Sequence, residues 1–382
     1  MIPRSIGASR GAGIAPRHPR TGHGTMPRMR IRRFAGSLPR WLVVVAVALA
    51  GAAVAAPVAA HGPTPSTPPT AALLLLGWTF EPLPTLGILA ALAWWVWAIG
   101  RVRASHPAKP VPRRRTVAFV AGMAAIALAL LSGIDAYDTT LFSVHMVQHV
   151  LLTLVAAPLI AVAGPVTLLL RVASPQTRRR WILPLLHARI TRVLAFPVVA
   201  WLLFAGVMWV SHFSALFDAA LEDPLIHDLE HGLFLASALL FWWPAAAVDP
   251  APWRMTHPVR ALYTFLQMTQ NTFLSVVILN AQTVLYPHYA TLQRGWGPPP
   301  LEDQQMAAAF MWVAGDLLFL GAIFAILVDW SRAEGRAAAR VDRRAAEELV
   351  EIRIRERRLA ERLRRESGEA APDAQPGSGA SR

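Results

Sequence analysis

The chain contains no cysteine. That excludes disulfides, thiolate zinc sites, iron–sulfur clusters and thiol catalysis, so any metal site must draw on His, Met, carboxylate or backbone groups. Charge is also scarce: Asp, Glu, Lys and Arg make up 16% of the residues, against 54% that are hydrophobic. So little charge beside apolar runs of about 20 residues is the profile of a chain that sits in a lipid bilayer. Acidic residues are the scarcer sign, 23 against 37 basic ones, for a net charge of +14. The basic excess lies in short loops between apolar runs and in the C-terminal tail. It therefore reads as membrane topology, and no nucleic-acid partner is expected.

Residues 1–60 form a basic N-terminal extension ending in an apolar run, Trp41 to Ala60, made largely of Ala and Val. Arg32, Arg33 and Arg40 precede that run, and Ala56-Pro57-Val58-Ala59-Ala60 closes it before His61. A basic lead, a short apolar region and small residues at its end read as a secretory signal peptide; an uncleaved anchor helix is the competing reading. The basic lead is long for a signal peptide, which makes Met26 or Met29 alternative starts. Residues 61–82 read as a Pro-rich periplasmic linker. Seven apolar segments follow, at about 83–100, 116–134, 141–170, 194–213, 225–245, 260–285 and 305–329. They predict an all-α membrane protein with a seven-transmembrane-helix bundle over 83–330.

The loops alternate in charge. Arg101, Arg103, Lys109 and Arg113 to Arg115 occupy one, Arg171, Arg178 to Arg180, Arg189 and Arg192 another, and Arg254 and Arg260 a third. The intervening loops hold Asp135 and Asp138, then Asp218, Glu222 and Asp223, then Glu302 and Asp303, against a single Arg294. Basic loops stay in the cytoplasm, which predicts an N-out/C-in chain. Trp94, Trp95, Trp97, Trp242, Trp243 and Trp330 fall at the cytoplasmic ends, as an aromatic belt would. Beyond Trp330, residues 331–367 read as a charged cytoplasmic helix and 368–382 as a disordered tail.

This topology sorts the histidines. His145 and His149 stand four apart, so on a helix their rings share a face. They lie roughly 6 and 12 Å below the outer start of the third segment at 1.5 Å per residue. His227 and His231 repeat the spacing in the first turns of the fifth segment. His212 ends the fourth, with Met208 one turn deeper; Met146, Met306 and Met311 lie at similar depth, and His288 is in the last outer loop. A histidine in a membrane-length segment is costly unless it binds something. Imidazoles with thioethers near them suit a soft or borderline metal: imidazole binds copper and zinc, and Met favours Cu(I). Asp135, Asp138, Asp228 and Glu230 could hold the remaining ring nitrogens.

Other readings stay open. The polar residues could bond across helices as glue. His227-Asp228-Leu229-Glu230-His231 matches the H-x-x-E-H of inverted zincins, a membrane zinc hydrolase in which Glu230 is the base and Glu302 would supply the third ligand. Facing histidines could also ligate a b-type haem. Gln267, Gln270 and Asn271 form a polar stripe in the sixth segment, of a kind that bonds neighbouring helices. Asp316, about 16 Å into the seventh segment, could serve a proton or cation, or pack against that stripe.

The blocks, in order, resemble the polytopic CtaG type of cytochrome c oxidase assembly factor. The resemblance is carried by His145-Met146-Val147-Gln148-His149 with Ala157-Pro158-Leu159 and Gly164-Pro165. It continues through His227 to His231 with Phe241-Trp242-Trp243-Pro244, and through Gln267 to Asn271. Tyr286-Pro287-His288-Tyr289 and Glu302-Asp303-Gln304-Gln305 with Met311-Trp312 complete it, across about residues 75 to 330. It implies a protein of the cell's inner (plasma) membrane that supports maturation of a haem–copper oxidase by handling copper for its buried copper centre. On that basis the expected role is binding and not catalysis. Copper from a periplasmic donor would be held at the outer face by His145, His149, His227 and His231, beside Met146, Met208 and His212. It would then pass to a cytochrome c oxidase subunit. Cleavage after Ala60 would add the terminal amine and imidazole of His61 as a capture site. A copper importer with a path past Asp316 is the near rival.

Overall fold

The computed structural model describes residues 65–367. The apolar run before His61, His61 itself and the tail from 368 lie outside the described residues. Every apolar segment becomes a helix: α1 (Pro82–Ser105), α2 (Arg113–Leu131), α3 (Phe142–Val150), α4 (Ala157–Ala163), α5 (Pro197–His212), α6 (Leu216–Glu222), α7 (Pro224–Ala246), α8 (His257–Leu279) and α9 (Pro300–Glu366). No strand occurs among the described residues. Proline sets most of the starts: α1, α5, α7, α8 and α9 carry it in their first two positions, where a helix has no use for the N–H. Asp223 caps α7 by accepting from the amides of Leu225 and Ile226 at 2.8 and 3.2 Å.

α3 and α4 are one rod joined by a π turn at Leu151–Ala156, and Pro158 accounts for what happens there. Within the turn the Ala157 amide reaches back to the Leu152 carbonyl. The next donor in that register, for Thr153, would be residue 158, a proline without an N–H. Trp242 of α7 supplies the missing bond, donating its indole N–H to the Thr153 carbonyl at 2.9 Å. The rod stops at Gly164, whose φ of 76° is left-handed. Pro165 starts a new short helix, Pro165–Val172, capped by Asp249 on the amides of Val166 and Thr167 at 2.9 and 2.7 Å. Gly315 of α9 lets α8 approach closely: a Cβ there would meet the Asn271 side-chain nitrogen at 2.6 Å.

By length and composition four helices can cross a bilayer: α1, α2 continued to Tyr137, the α3–α4 rod continued to Val172, and α9. A fifth is added if α5 and α6, bent by 68° at their junction, count as one span. α5 alone has 16 residues, about 24 Å at 1.5 Å per residue, against a hydrocarbon core of about 30 Å. α7 and α8 have 23 residues each. They fall outside that set because they carry the histidine pair with Glu230 and the amide stripe with Arg260, which lower their hydropathy. α9 runs unbroken for 67 residues, so the last apolar segment and the charged stretch after it are a single helix.

Hydrogen bonds gather the basic connections at one end and the acidic ones at the other. At the basic end Arg171 donates to the Lys109 carbonyl and Trp253 to the Arg192 carbonyl. At the acidic end the Tyr289 hydroxyl donates to the Asp138 carbonyl at 2.7 Å, and the His288 amide to Asp218 at 3.3 Å. From Pro65 on, the Pro-rich stretch is also fixed at this end. Tyr137 donates to the Thr67 carbonyl and Trp296 to the Pro65 carbonyl, each at 3.0 Å, and Ala71–Leu76 forms a short helix capped by Thr70. Two tryptophans expected in the interfacial belt belong to the core instead. Trp95 is buried and stacks on Phe119 with ring centroids 4.0 Å apart, and Trp242 is buried with the bond to Thr153 just described.

Candidate metal centre

α3 and α7 bring the two histidine pairs face to face near the acidic end. Nε2 of His145 lies 2.9 Å from Nε2 of His149. Ring centroids are 4.2 Å apart for His227 and His231, 5.4 Å for His145 and His227, and 5.8 Å for His149 and His231. His212 joins from the end of α5, 6.4 Å from the His149 ring, with Nε2 3.5 Å from the Met146 sulfur and Nδ1 2.7 Å from the Met208 carbonyl. All five imidazoles are buried.

Two carboxylates complete the cluster. Glu230 lies with one oxygen 3.9 Å from His145 Nε2 while the other accepts from the Ser211 hydroxyl at 2.7 Å. Asp138 lies 3.6 Å from His227 Nε2. Two groups result whose ligand atoms all fall within 4.8 Å of one another: Asp138 with His227 and His231, and His145 with His227 and Glu230. His227 belongs to both. Beside them a small cavity of about 10 Å³, room for roughly one water, is lined by Met146, His149, Met208, His212, Gln267 and Met311 among others.

Buried polar atoms in a folded protein are nearly always hydrogen-bonded. Here both carboxylate oxygens of Asp138, one of Glu230, and Nδ1 of His145 and of His149 have no hydrogen-bond partner among the described residues. Both ends of the Gln267 amide are in the same state. The two groups could hold a cation, which would meet the unpartnered carboxylate oxygens and take up ring nitrogens as protons are displaced. Burial, and then the charge of Asp135, hold the Asp138 carboxyl well above the usual carboxylate range. A cation arriving there would displace a proton.

The scaffold fixes these side chains from several directions. Asp303 in the first turn of α9 caps α3, accepting from the amides of Phe142 and Ser143 at 2.7 and 3.4 Å and from the Ser143 hydroxyl at 2.5 Å. Gln148, between the two histidines of α3, donates to the Ala129 carbonyl and to Asp135 at 3.1 and 3.2 Å. Its own oxygen accepts from His231 Nε2 at 3.0 Å, which places the proton on Nε2 and turns Nδ1 into the acceptor or ligand atom.

Not every expected residue reaches the cluster. Met306 is 56% exposed, and His288 turns to the Thr139 carbonyl at 2.9 Å. Met208 is buried beside the cluster and offers His212 its carbonyl. Glu302, the third ligand required by the H-x-x-E-H reading, is exposed and belongs to neither group; Asp138 stands beside His227 and His231 in its place. A haem has no seat here, because the rings touch one another and the cavity holds about one water. In the amide stripe, Gln270 accepts from the Trp209 indole at 2.5 Å and Asn271 donates to the Met311 carbonyl at 3.2 Å. Asp316 is not bonded to that stripe; it accepts from the Thr272 hydroxyl at 2.9 Å.

The family model described as cytochrome c oxidase caa3 assembly factor matches residues 93–333. Uncharacterized proteins of Mycobacterium bovis and Mycobacterium tuberculosis are each 31% identical to the chain over 286 residues, covering 73% of it and 43% of their own length. A third, from Mycobacterium leprae, is 28% identical over 285 residues with the same coverage. The chain thus spans under half the length of the curated relatives it matches. No solved structure matches it. The matched stretch contains Asp138, all five clustered histidines, Glu230 and Asp303, and on this evidence the chain belongs to the cytochrome c oxidase caa3 assembly factor family.

Proposed function

We propose that this assembly factor binds copper in the histidine cluster and passes it to a subunit of a haem–copper oxidase within the membrane. The observation that carries the reading is the pair of buried donor groups sharing His227, surrounded by oxygens and ring nitrogens without hydrogen-bond partners. Mixed imidazole and carboxylate donors with Met146 and Met208 at the edge suit copper, which takes imidazole readily and accepts thioether in its reduced form. The donors also outnumber the positions one ion needs, and a cargo that must leave is better served by exchangeable ligands than by a closed cage. Glu81, Asp135 and Asp228 line a cavity of about 170 Å³ that reaches His227 and His231; this acidic mouth is the entry for a cation released by a periplasmic donor. His61, where it is the mature N-terminus, adds a capture ligand at the same face.

A strain lacking this chain tests the reading directly. It should lose oxidase activity while total cell copper stays normal, and the purified full-length chain should carry copper by elemental analysis. Loss of cytoplasmic copper instead would favour an importer.

The topology belongs to the same proposal: seven crossings of the inner membrane, N-out and C-in, with the acidic end and the cluster facing outward. The gathering of Arg- and Lys-bearing connections at one end supports it. A reporter active only in the periplasm should be silent when fused after Trp330 and active near Glu222. The reverse pattern would invert every assignment of side.

A further inference from the structure

At the basic end, opposite the histidine cluster, α2, the α3–α4 rod, α7, α8 and α9 enclose a groove of about 800 Å³, within the roughly 300–1,000 Å³ typical of ligand pockets. We infer that it is a binding site for one anionic phospholipid, with acyl chain on the groove floor and phosphate at its arginine rim.

The floor is apolar. Leu159 and Val162 of α4, Trp242 of α7, and Leu318 and Ala322 of α9 line it. The rim is basic: Arg114 and Arg115 at the start of α2, Arg260 of α8 and Arg332 of α9, with Asp329 as the one acid. These charges do not cancel. Arg260 is already engaged, donating to the Ala245 and Ala246 carbonyls at 2.7 and 3.1 Å and lying 3.3 Å from Asp329. Asp249, which lies with Arg115 beside Gly164, caps the Pro165–Val172 helix. Arg114, Arg115 and Arg332 form no ion pair among the described residues.

Three uncommitted guanidinium groups at the mouth of an apolar groove select a ligand with both characters. Guanidinium binds phosphate oxygens in a two-pronged manner, and a basic pocket between membrane helices is where anionic headgroups are retained. A zwitterionic lipid would bring its own cation against the arginines. A free phosphate would leave the apolar floor unfilled.

The test uses the full chain in mild detergent, offered palmitoyl-oleoyl phosphatidylglycerol or the matching phosphatidylcholine and read by native mass spectrometry. The expected result is one retained phosphatidylglycerol, preferred by at least about 10-fold over phosphatidylcholine. Arg114→Gln, Arg115→Gln and Arg332→Gln together should lower retention to the phosphatidylcholine level. Because losing basic residues can disturb insertion, Ala322→Trp provides an independent arm: it keeps the arginines, fills the floor, and should cause the same loss. Equal retention of the two lipids by the wild type would overturn the inference, as would wild-type retention by Ala322→Trp. Glycerol 3-phosphate displacing the lipid as well as a short-chain phosphatidylglycerol does would also overturn it, by reducing the site to a headgroup contact.

Discussion

Replacing His227 with alanine should lower copper affinity by more than about 100-fold, because even the groups behind metal ligands typically contribute 10- to 100-fold. His227 is the shared member of both donor groups, so its loss leaves Asp138 with His231 on one side and His145 with Glu230 on the other. The spacing of the histidines alone would favour the pair His149 and His231 as the decisive deletion. Removing those two leaves His145, His227 and Glu230 intact, so copper should weaken there without vanishing. Elemental analysis after dialysis against a competing chelator measures the effect, with recovery in the membrane fraction as the control for insertion. Wild-type copper content in His227→Ala would refute the shared-ligand arrangement.

Glu230→Gln separates copper handling from catalysis. The amide keeps the shape and the bond to Ser211 but removes the charge that faces His145 at 3.9 Å. If Glu230 helps to hold the ion, copper affinity should fall roughly 10- to 100-fold, and oxidase assembly should recover when copper is supplied in excess. A zinc hydrolase using Glu230 as its base would instead retain metal and lose function outright. A variant that binds metal as the wild type does, yet assembles no oxidase at any copper level, would count for the enzyme.

Sequence reasoning reached the helices because apolar run length is a local property, and it reached the histidine pairs because a spacing of four on a helix is local too. It did not reach what depends on the fold. Asp138 was legible among the carboxylates that could hold a ring nitrogen, but its meeting with His227, across 89 positions of chain, is something no periodicity records. Glu230 was legible as an acid near a histidine, but its membership in a donor group with His145 of another helix was not. Asp303 was visible only as a loop acid, whereas its work is to cap α3. The tryptophan belt failed at Trp95 and Trp242 for a related reason: position near a helix end does not say whether a ring faces lipid or a neighbouring helix. The bend between α5 and α6 and the π turn after His149 follow from packing, and only Pro158 gave a hint of the latter.

α3 is held at its start by Asp303 of α9, between its histidines by Gln148, and one turn beyond His149 by the Trp242 bond. The donors therefore converge only when helices far apart in sequence have docked, and an unfolded chain presents no such site. Binding and folding are then coupled by mass action: an ion at 100 times its dissociation constant adds about 2.7 kcal/mol to the stability of the folded form alone. On the proposed function, delivery of the cargo would remove that increment. The emptied chain would then be the less stable of the two, so loaded and unloaded copies would differ in how readily they open to proteolysis, and turnover itself would follow the supply of metal.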